Sequence, residues 1–397
     1  LGDVYKRQRL GAYIWSILGI EFAQQFRKNH TGKTFEEAEY VQPSATRDVH
    51  VIDSQPLITP VELINQMPIT PEIEQVVLSG RDQVRKILNG EDSRLLVIAG
   101  PCSIHNEESA LEYAGKLKQF TEKLQDRIFV VMRVYFEKPR TTVGWKGLIY
   151  DPHLNDSVDI EAGLRTARSL LLKIGEMGMY AGTEFLDPIV PQYLGGLITW
   201  ATIGARTTES QIHRQMASGL SMPVGFKNGT DGNAQIAVDA MISARSPHGF
   251  IGLDHEGRTA LIRTTGNPDG HLVLRGGNSG PNFASEFTAE AKERLDAGGV
   301  RSQLVVDCSH GNSNKDHTKQ ALALKDVIEQ RVSGDNDIIG CMLESNLNPG
   351  NQKLCEDLSQ LQYGVSITDA CIGWDETEEL LGWAYDKMGD SIPVAAD

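Results

Sequence analysis

The chain is poor in cysteine, with five in 397 residues: Cys102, Cys308, Cys341, Cys355 and Cys371. The number is odd and the spacing loose, which excludes a disulfide framework and points to a reducing compartment, the cytoplasm. Net positive charge is absent as well. The 53 acidic side chains outnumber the 38 lysines and arginines, for a formal charge of −15. A broad basic surface for nucleic acid or an anionic membrane is thereby excluded. Long apolar runs are missing too. The best candidate, residues 10–22 after Lys6, Arg7 and Arg9, is too short to span a bilayer, and no clean small-x-small cleavage site follows it. The chain begins with Leu1 and its first forty or so residues fit nothing downstream, so residues 1–47 are left unassigned, as a fragment edge or a non-native leader. No internal repeat or low-complexity tract is present.

What is present is a chain 40% hydrophobic, ample for one large core. From about residue 95, short apolar runs rich in β-formers alternate with amphipathic helical stretches, the pattern of a parallel sheet with crossover helices. Eight runs are predicted as strands: Leu95–Gly100, Ile128–Val134, Tyr180–Phe185, Trp200–Ala205, Pro223–Asn228, His271–Gly276, Gln303–Cys308 and Ile338–Glu344. Eight strand–helix units predict a (β/α)8 barrel over residues 95–390. Helix ends are legible between them. Asn106 is an N-cap ahead of Glu107 and Glu108, with Leu111, Ala114, Leu117 and Phe120 at helical spacing. A second helix carries Ile160, Leu164, Ala167, Leu171 and Ile174 and stops at Gly178. Residues 48–94 read as an N-terminal extension, with Thr70-Pro71-Glu72 opening one helix and Gly90 near the end of the next. Phe250–Arg263 breaks the alternation with two short runs about a glycine-containing turn, an inserted β-hairpin at about 249–265.

Positive charge is scarce overall but concentrated locally. Residues 133–146 hold four cations, Arg133, Lys138, Arg140 and Lys146, and single bases close other apolar runs: Arg206, Lys227 and Arg275. In a parallel barrel the C-terminal strand ends meet on one face, where active sites are built. Two like charges about 4 Å apart repel by about 4 kcal/mol at an effective dielectric of about 20, so such a cluster calls for a polyanionic substrate. The bland alternative is that each base pairs with a nearby carboxylate. Four residues of metal-ligand type also stand at or just past strand ends: Cys102, His310, Glu344 and Asp369. A thiolate, an imidazole and two carboxylates suit one divalent transition metal such as Mn, Fe, Co or Zn. An inert buried Cys102, a satisfied His310 and arginine-paired carboxylates are the competing readings. Cys308 is read as packing.

Ala99-Gly-Pro-Cys102-Ser-Ile-His105, Met132-Arg-Val-Tyr-Phe-Glu-Lys138-Pro-Arg140-Thr141-Thr-Val-Gly-Trp-Lys146-Gly147, Ile203-Gly-Ala-Arg206-Thr-Thr-Glu-Ser-Gln211, Pro223-Val-Gly-Phe-Lys227-Asn-Gly-Thr-Asp-Gly232 and Leu274-Arg275-Gly-Gly277 closely resemble type I 3-deoxy-D-arabino-heptulosonate 7-phosphate (DAHP) synthases. The resemblance runs from about Asp48 to about Leu381. It implies a homo-oligomeric barrel, a homodimer or homotetramer, that condenses phosphoenolpyruvate with erythrose 4-phosphate and water to give DAHP and phosphate, the first step of the shikimate pathway. It further implies that Arg133, Arg206, Lys227 and Arg275 bind phosphoenolpyruvate and that Lys138, Pro139, Arg140 and Thr141 bind erythrose 4-phosphate. Cys102, His310, Glu344 and Asp369 would hold the metal, which acts as Lewis acid or orients water. Lys138, with Cys102 and His310, is then a candidate catalytic residue, placed to protonate the developing alkoxide. Cys102, read as a thiolate at an accessible strand end, is expected to be oxidation-sensitive.

The resemblance also implies an aromatic amino acid effector outside the barrel mouth, at Asp187, Pro191, Gln192, Leu220, Ser221, Phe250 and Gly252. Gly252 points to tyrosine, on the expectation that a missing side chain leaves room for the larger, hydroxylated ligand. The alternatives are a neighbouring enzyme that joins phosphoenolpyruvate to arabinose 5-phosphate, and a silent tyrosine-binding barrel. The Lys138-to-Thr141 segment disfavours the first, and the intact metal and base set disfavours the second.

Overall fold

A computed structural model describes residues 46–389 except Thr141 and Glu356. The expectations for residues 1–45 and for Thr141 lie outside the described residues. The chain divides into two units, Leu1–Pro56 and Leu57–Asp397. Of the first, residues 46–56 are described, including a turn in which the Val51 amide donates to the Asp48 carbonyl.

The second unit holds two helices ahead of the barrel. Helix α1 (Pro60–Gln66) opens on a capping box in which the Thr59 side chain accepts from the Glu62 amide and the Glu62 carboxylate accepts from the Thr59 amide. Helix α2 (Pro71–Leu88) is capped by Thr70, has Pro71 in its first turn, and ends ahead of Gly90, whose φ of 72° suits glycine. Thr70 and Gly90 therefore bound one helix of 18 residues, not two successive ones. The short α1 preceding it carries too little periodicity to be legible.

The barrel strands are β1 (Leu95–Gly100), β2 (Ile128–Arg133), β3 (Ala181–Glu184), β4 (Trp200–Ile203), β5 (Val224–Lys227), β8 (Gly270–Leu274), β9 (Leu304–Asp307) and β10 (Ile338–Glu344), with β6 (His248–Leu253) and β7 (Thr259–Thr264) inserted before β8. They close in the order β1-β10-β9-β8-β5-β4-β3-β2, every pair parallel. The eight predicted runs are these eight strands, with ends shifted by no more than two residues. The β6–β7 pair is the predicted antiparallel hairpin, with Phe250 opposite Ile262 and Gly252 opposite Ala260.

Outside the barrel lie α3 (Glu107–Thr121), α4 (Ile160–Glu176), α5 (Val190–Leu194), α6 (Gln211–Ser218), α7 (Gln235–Ala244), α8 (Ser285–Ala297), α9 (Gln320–Val332) and α10 (Trp374–Gly389). Asn106 caps α3, accepting from the Ser109 amide at 2.8 Å. Inside the barrel, Leu96, Ile98, Phe129, Val131, Trp200, Val273, Val305 and Met342 pack together. Val84, Ile87 and Leu88 of α2 join them, so α2 plugs the end where the strands begin. Arg81 fixes that plug by donating to the carbonyls of Ile198 and Gly195. The open end is the other one. Among the described residues no helix is long and apolar enough to cross a membrane.

Candidate active site

Side chains alternate along a strand, so every second residue points into the barrel. On several strands that inward row turns from apolar or small to charged at its last position. Val131 is followed by Arg133, Gly225 by Lys227, Val273 by Arg275, Val305 by Asp307, Met342 by Glu344 and Gly182 by Glu184. The core thus ends in a layer of ionisable groups at the open mouth.

Two of the predicted anion-binding bases have carboxylate partners. Arg133 Nη2 lies 3.0 Å from Glu344 Oε1 and Lys227 Nζ lies 2.9 Å from Asp307 Oδ2, with all four side chains buried. These two bases are paired within the chain, as the bland alternative has it, and the pairing also fixes their position at the mouth. The Arg275 guanidinium donates to the Gly276 carbonyl and its backbone amide to Asn228 Oδ1, and Arg206 is exposed; neither has an ion pair among the described residues. Burial lowers the Arg275 pKa and Arg206 adds to that shift, while Asp307, Glu344 and Asp369 oppose it.

Lys138 is 9% exposed, and its Nζ donates to Cys102 Sγ at 3.0 Å and to the Cys102 carbonyl at 3.2 Å. Burial alone would depress its pKa, but Cys102, Glu344 and Asp369 raise it above the ordinary lysine value, so it stays an ammonium. Pro139 is half-buried and Arg140 exposed, with Arg140 Nε donating to the Trp145 carbonyl at 2.7 Å. That bond holds the arm and leaves the terminal guanidinium nitrogens without a hydrogen bond among the described residues.

Ligand atoms of Cys102, Glu344 and Asp369 lie within 4.8 Å of one another. A thiol and two carboxylates converging from β1, β10 and the loop after β10 fit a divalent metal. His310 borders this trio. Its Nε2 is 3.7 Å from Glu344 Oε1, its Nδ1 is 2.9 Å from Asp307 Oδ2, and its backbone takes the uncommon φ of 52°. Burial works to raise the pKa of Glu344, yet His310, Arg133 and Lys138 hold it down at about 2. Asp307 behaves alike: burial opposes its charge, but His310 and Lys227 keep it well below the usual range. Both acids are therefore anions.

Cys102 departs from expectation. It is fully buried, and burial together with Glu344 pushes its thiol up to about 11 against the pull of Lys138. The strand end is not accessible, so the expectation of an oxidation-prone thiolate is not met by the chain alone. A bound cation would deprotonate the thiol.

Three further acidic groups shape the site, none of them singled out from sequence. Asp307 joins Lys227 to His310. Glu184, 8% exposed, sits so close to Gly204 that a Cβ there would meet its Oε1 at 2.2 Å. Glu137, 1% exposed, accepts from the backbone amides of Leu186 at 3.2 Å and Asp187 at 3.0 Å, tying the Lys138 segment to the turn after β3. The signal available in sequence was the same for each: an acid inside or flanking an apolar run.

The predicted effector residues fall on four elements. Asp187 precedes α5 and accepts from the Tyr150 hydroxyl at 3.1 Å; Pro191 and Gln192 are on α5; Leu220 and Ser221 follow α6; Phe250 and Gly252 lie on the shielded face of β6. The room expected at Gly252 is not empty, because a Cβ there would lie 2.7 Å from Ile262 Cγ1. Ile262 of β7 fills the space that the missing side chain leaves.

A closed parallel barrel that turns a basic mouth and a thiol–carboxylate trio to the same side defines a (β/α)8 enzyme of anionic substrates. Residues 66–382 match the family described as the DAHP synthetase I family, and the chain belongs to it. It is 52% identical over 352 residues to the Tyr-sensitive phospho-2-dehydro-3-deoxyheptonate aldolase of Escherichia coli K12, covering 89% of this chain and 99% of that one. The Phe-sensitive enzyme of the same strain is 51% identical, with 84% and 95% covered. A solved phospho-2-dehydro-3-deoxyheptonate aldolase from Francisella tularensis superposes with a TM-score of 0.84 at 46% identity, over 86% of this chain and 99% of that one.

Proposed function

We propose that this chain, a DAHP synthase by family, joins C3 of phosphoenolpyruvate to the aldehyde carbon of erythrose 4-phosphate, takes up water at C2, and releases DAHP and phosphate at the first step of the shikimate pathway. It works as a homo-oligomer with one divalent transition metal and is inhibited by tyrosine. The observation that carries this reading is the meeting of Arg133, Lys138, Lys227, Cys102, Glu344 and His310 at one mouth.

Cys102, Glu344 and Asp369, with His310 beside them, would hold the metal, which supplies Lewis acidity or an oriented water. Arg133, fixed by Glu344, and Lys227, fixed by Asp307, take the anionic groups of phosphoenolpyruvate together with Arg206 and Arg275. Arg140 and its neighbours take the phosphate of erythrose 4-phosphate. Holding two like-charged reactants in register removes a large part of a bimolecular barrier, about 7 kcal/mol or more in favourable cases. Lys138, kept charged by its buried neighbours, gives a proton to the alkoxide that forms as the aldehyde is attacked.

The test is phosphate release from phosphoenolpyruvate with erythrose 4-phosphate, with arabinose 5-phosphate in parallel, and with tyrosine or phenylalanine titrated in. Release with erythrose 4-phosphate alone, suppressed by tyrosine, is expected. Preference for arabinose 5-phosphate overturns the substrate, and inhibition by phenylalanine alone overturns the effector.

A further inference from the structure

Two buried donors stand at the mouth without a hydrogen-bond partner among the described residues. Arg133 Nη1 and the Tyr135 hydroxyl are both buried without a hydrogen bond among the described residues. They belong together: Arg133 and Tyr135 are successive inward residues of β2 and its extension, and the Arg133 guanidinium carbon lies 3.8 Å from the centre of the Tyr135 ring. Tyr135 is 1% exposed, and its backbone is pinned by the Ile104 amide, which donates to its carbonyl at 2.9 Å. The ring has little freedom to carry the hydroxyl elsewhere.

Each carboxylate oxygen of Glu344 and Asp307 already accepts a hydrogen bond within the chain. Glu344 Oε1 takes Arg133 Nη2 and its Oε2 takes Ser309 Oγ at 2.8 Å. Asp307 Oδ2 takes Lys227, and its Oδ1 takes the Ser309 amide at 3.0 Å. Glu184 lies against Gly204, and the Tyr135 hydroxyl makes no hydrogen bond to it. Buried donors are rarely left unpaired, so two of them on one face call for an acceptor from outside the chain. A guanidinium only donates, so a partner shared with it must be an acceptor, and in the field of a cation that acceptor is anionic.

Resting on the function proposed above, we propose that Tyr135 is a further substrate-binding residue, whose hydroxyl donates to an anionic oxygen of phosphoenolpyruvate that Arg133 Nη1 also holds. Phosphoenolpyruvate is chosen over erythrose 4-phosphate because Tyr135 stacks on Arg133, one of the bases assigned to it, whereas Arg140 is exposed further along the segment. The same surroundings raise the phenol's pKa well above its ordinary value, mainly through burial, which keeps the proton available for donation.

The test is Tyr135→Phe in the full chain, with phosphoenolpyruvate binding measured by titration calorimetry in the presence of manganese, and the KM of each substrate measured separately. Loss of one hydrogen bond to a charged group is expected to weaken phosphoenolpyruvate binding by about tenfold or more. The KM for erythrose 4-phosphate should change less than about twofold on the same scale. Tyr135→Met fills similar space without the hydroxyl and gives the same reading should the phenylalanine variant not fold. Unchanged phosphoenolpyruvate affinity, or equal weakening of both substrates, overturns the inference while leaving the proposed function standing. A wild-type chain that binds no phosphoenolpyruvate overturns both.

Discussion

Lys138 shows how much of a side chain's role is set by what surrounds it. A lysine buried among apolar groups loses its proton readily, but this one faces a thiol and two carboxylates that reverse the effect. In the mechanism proposed above it is an acid by position. Lys138→Ala should therefore lower turnover by about a hundredfold or more, the range for a positioned general acid. Its thermal melting curve should stay close to wild type, because the residue sits at the mouth and not in the core. Wild-type-like turnover in a phosphate-release assay would remove Lys138 from the proton-transfer step. At this scale the motifs were legible because each long string names its own residues. Asp307, Glu137 and Tyr135 were not, because their importance comes from partners across the barrel: Lys227 and His310 for the first, the amides of Leu186 and Asp187 for the second, Arg133 for the third. Cys102 was legible as a ligand type but not as a buried thiol.

Helix α2 shows the same division among elements. Its caps at Thr70 and Gly90 were readable, but its role as the plug beneath the barrel depends on where Val84, Ile87 and Leu88 land after folding. Ile87 is 1% exposed at that end, far along the strands from the ionisable layer. Ile87→Ala should cost about 2–5 kcal/mol of stability by leaving a cavity. The KM values of the folded enzyme should stay unchanged, as measured by denaturant unfolding alongside kinetics. A loss of substrate affinity without loss of stability would contradict the plug. The eight strands were legible because their apolar runs are short, β-rich and bounded by turn residues. The hairpin was legible as a break in that alternation, but the packing of Ile262 over Gly252 was not, since it is a contact between two strands.

Taken whole, the barrel carries a layer of ionisable groups at its open mouth, and the buried acid beside it should register in the pH response. Burial pushes Glu137 up to about 8, with Asp187 and Glu184 adding to the shift and the amides of Asp187 and Leu186 opposing it. Its folded value exceeds its unfolded one, so the stabilisation it contributes is complete below the ordinary value of 4.5 and is lost as pH rises through about 8. Glu137→Gln cannot ionise. Its unfolding free energy should gain on wild type between the ordinary value of 4.5 and about pH 8 in urea titrations and run parallel to it above, and curves parallel throughout would show that Glu137 is already charged in the folded protein.

Metal dependence bears most directly on the mouth as a working site. With both substrates present, excess chelator should abolish phosphate release and added manganese or another divalent transition ion should restore it. Cys102→Ser and Asp369→Ala variants should need far more ion for the same recovery. Full activity in excess chelator would contradict the account, because Cys102, Glu344 and Asp369 would then converge for some purpose other than holding an ion.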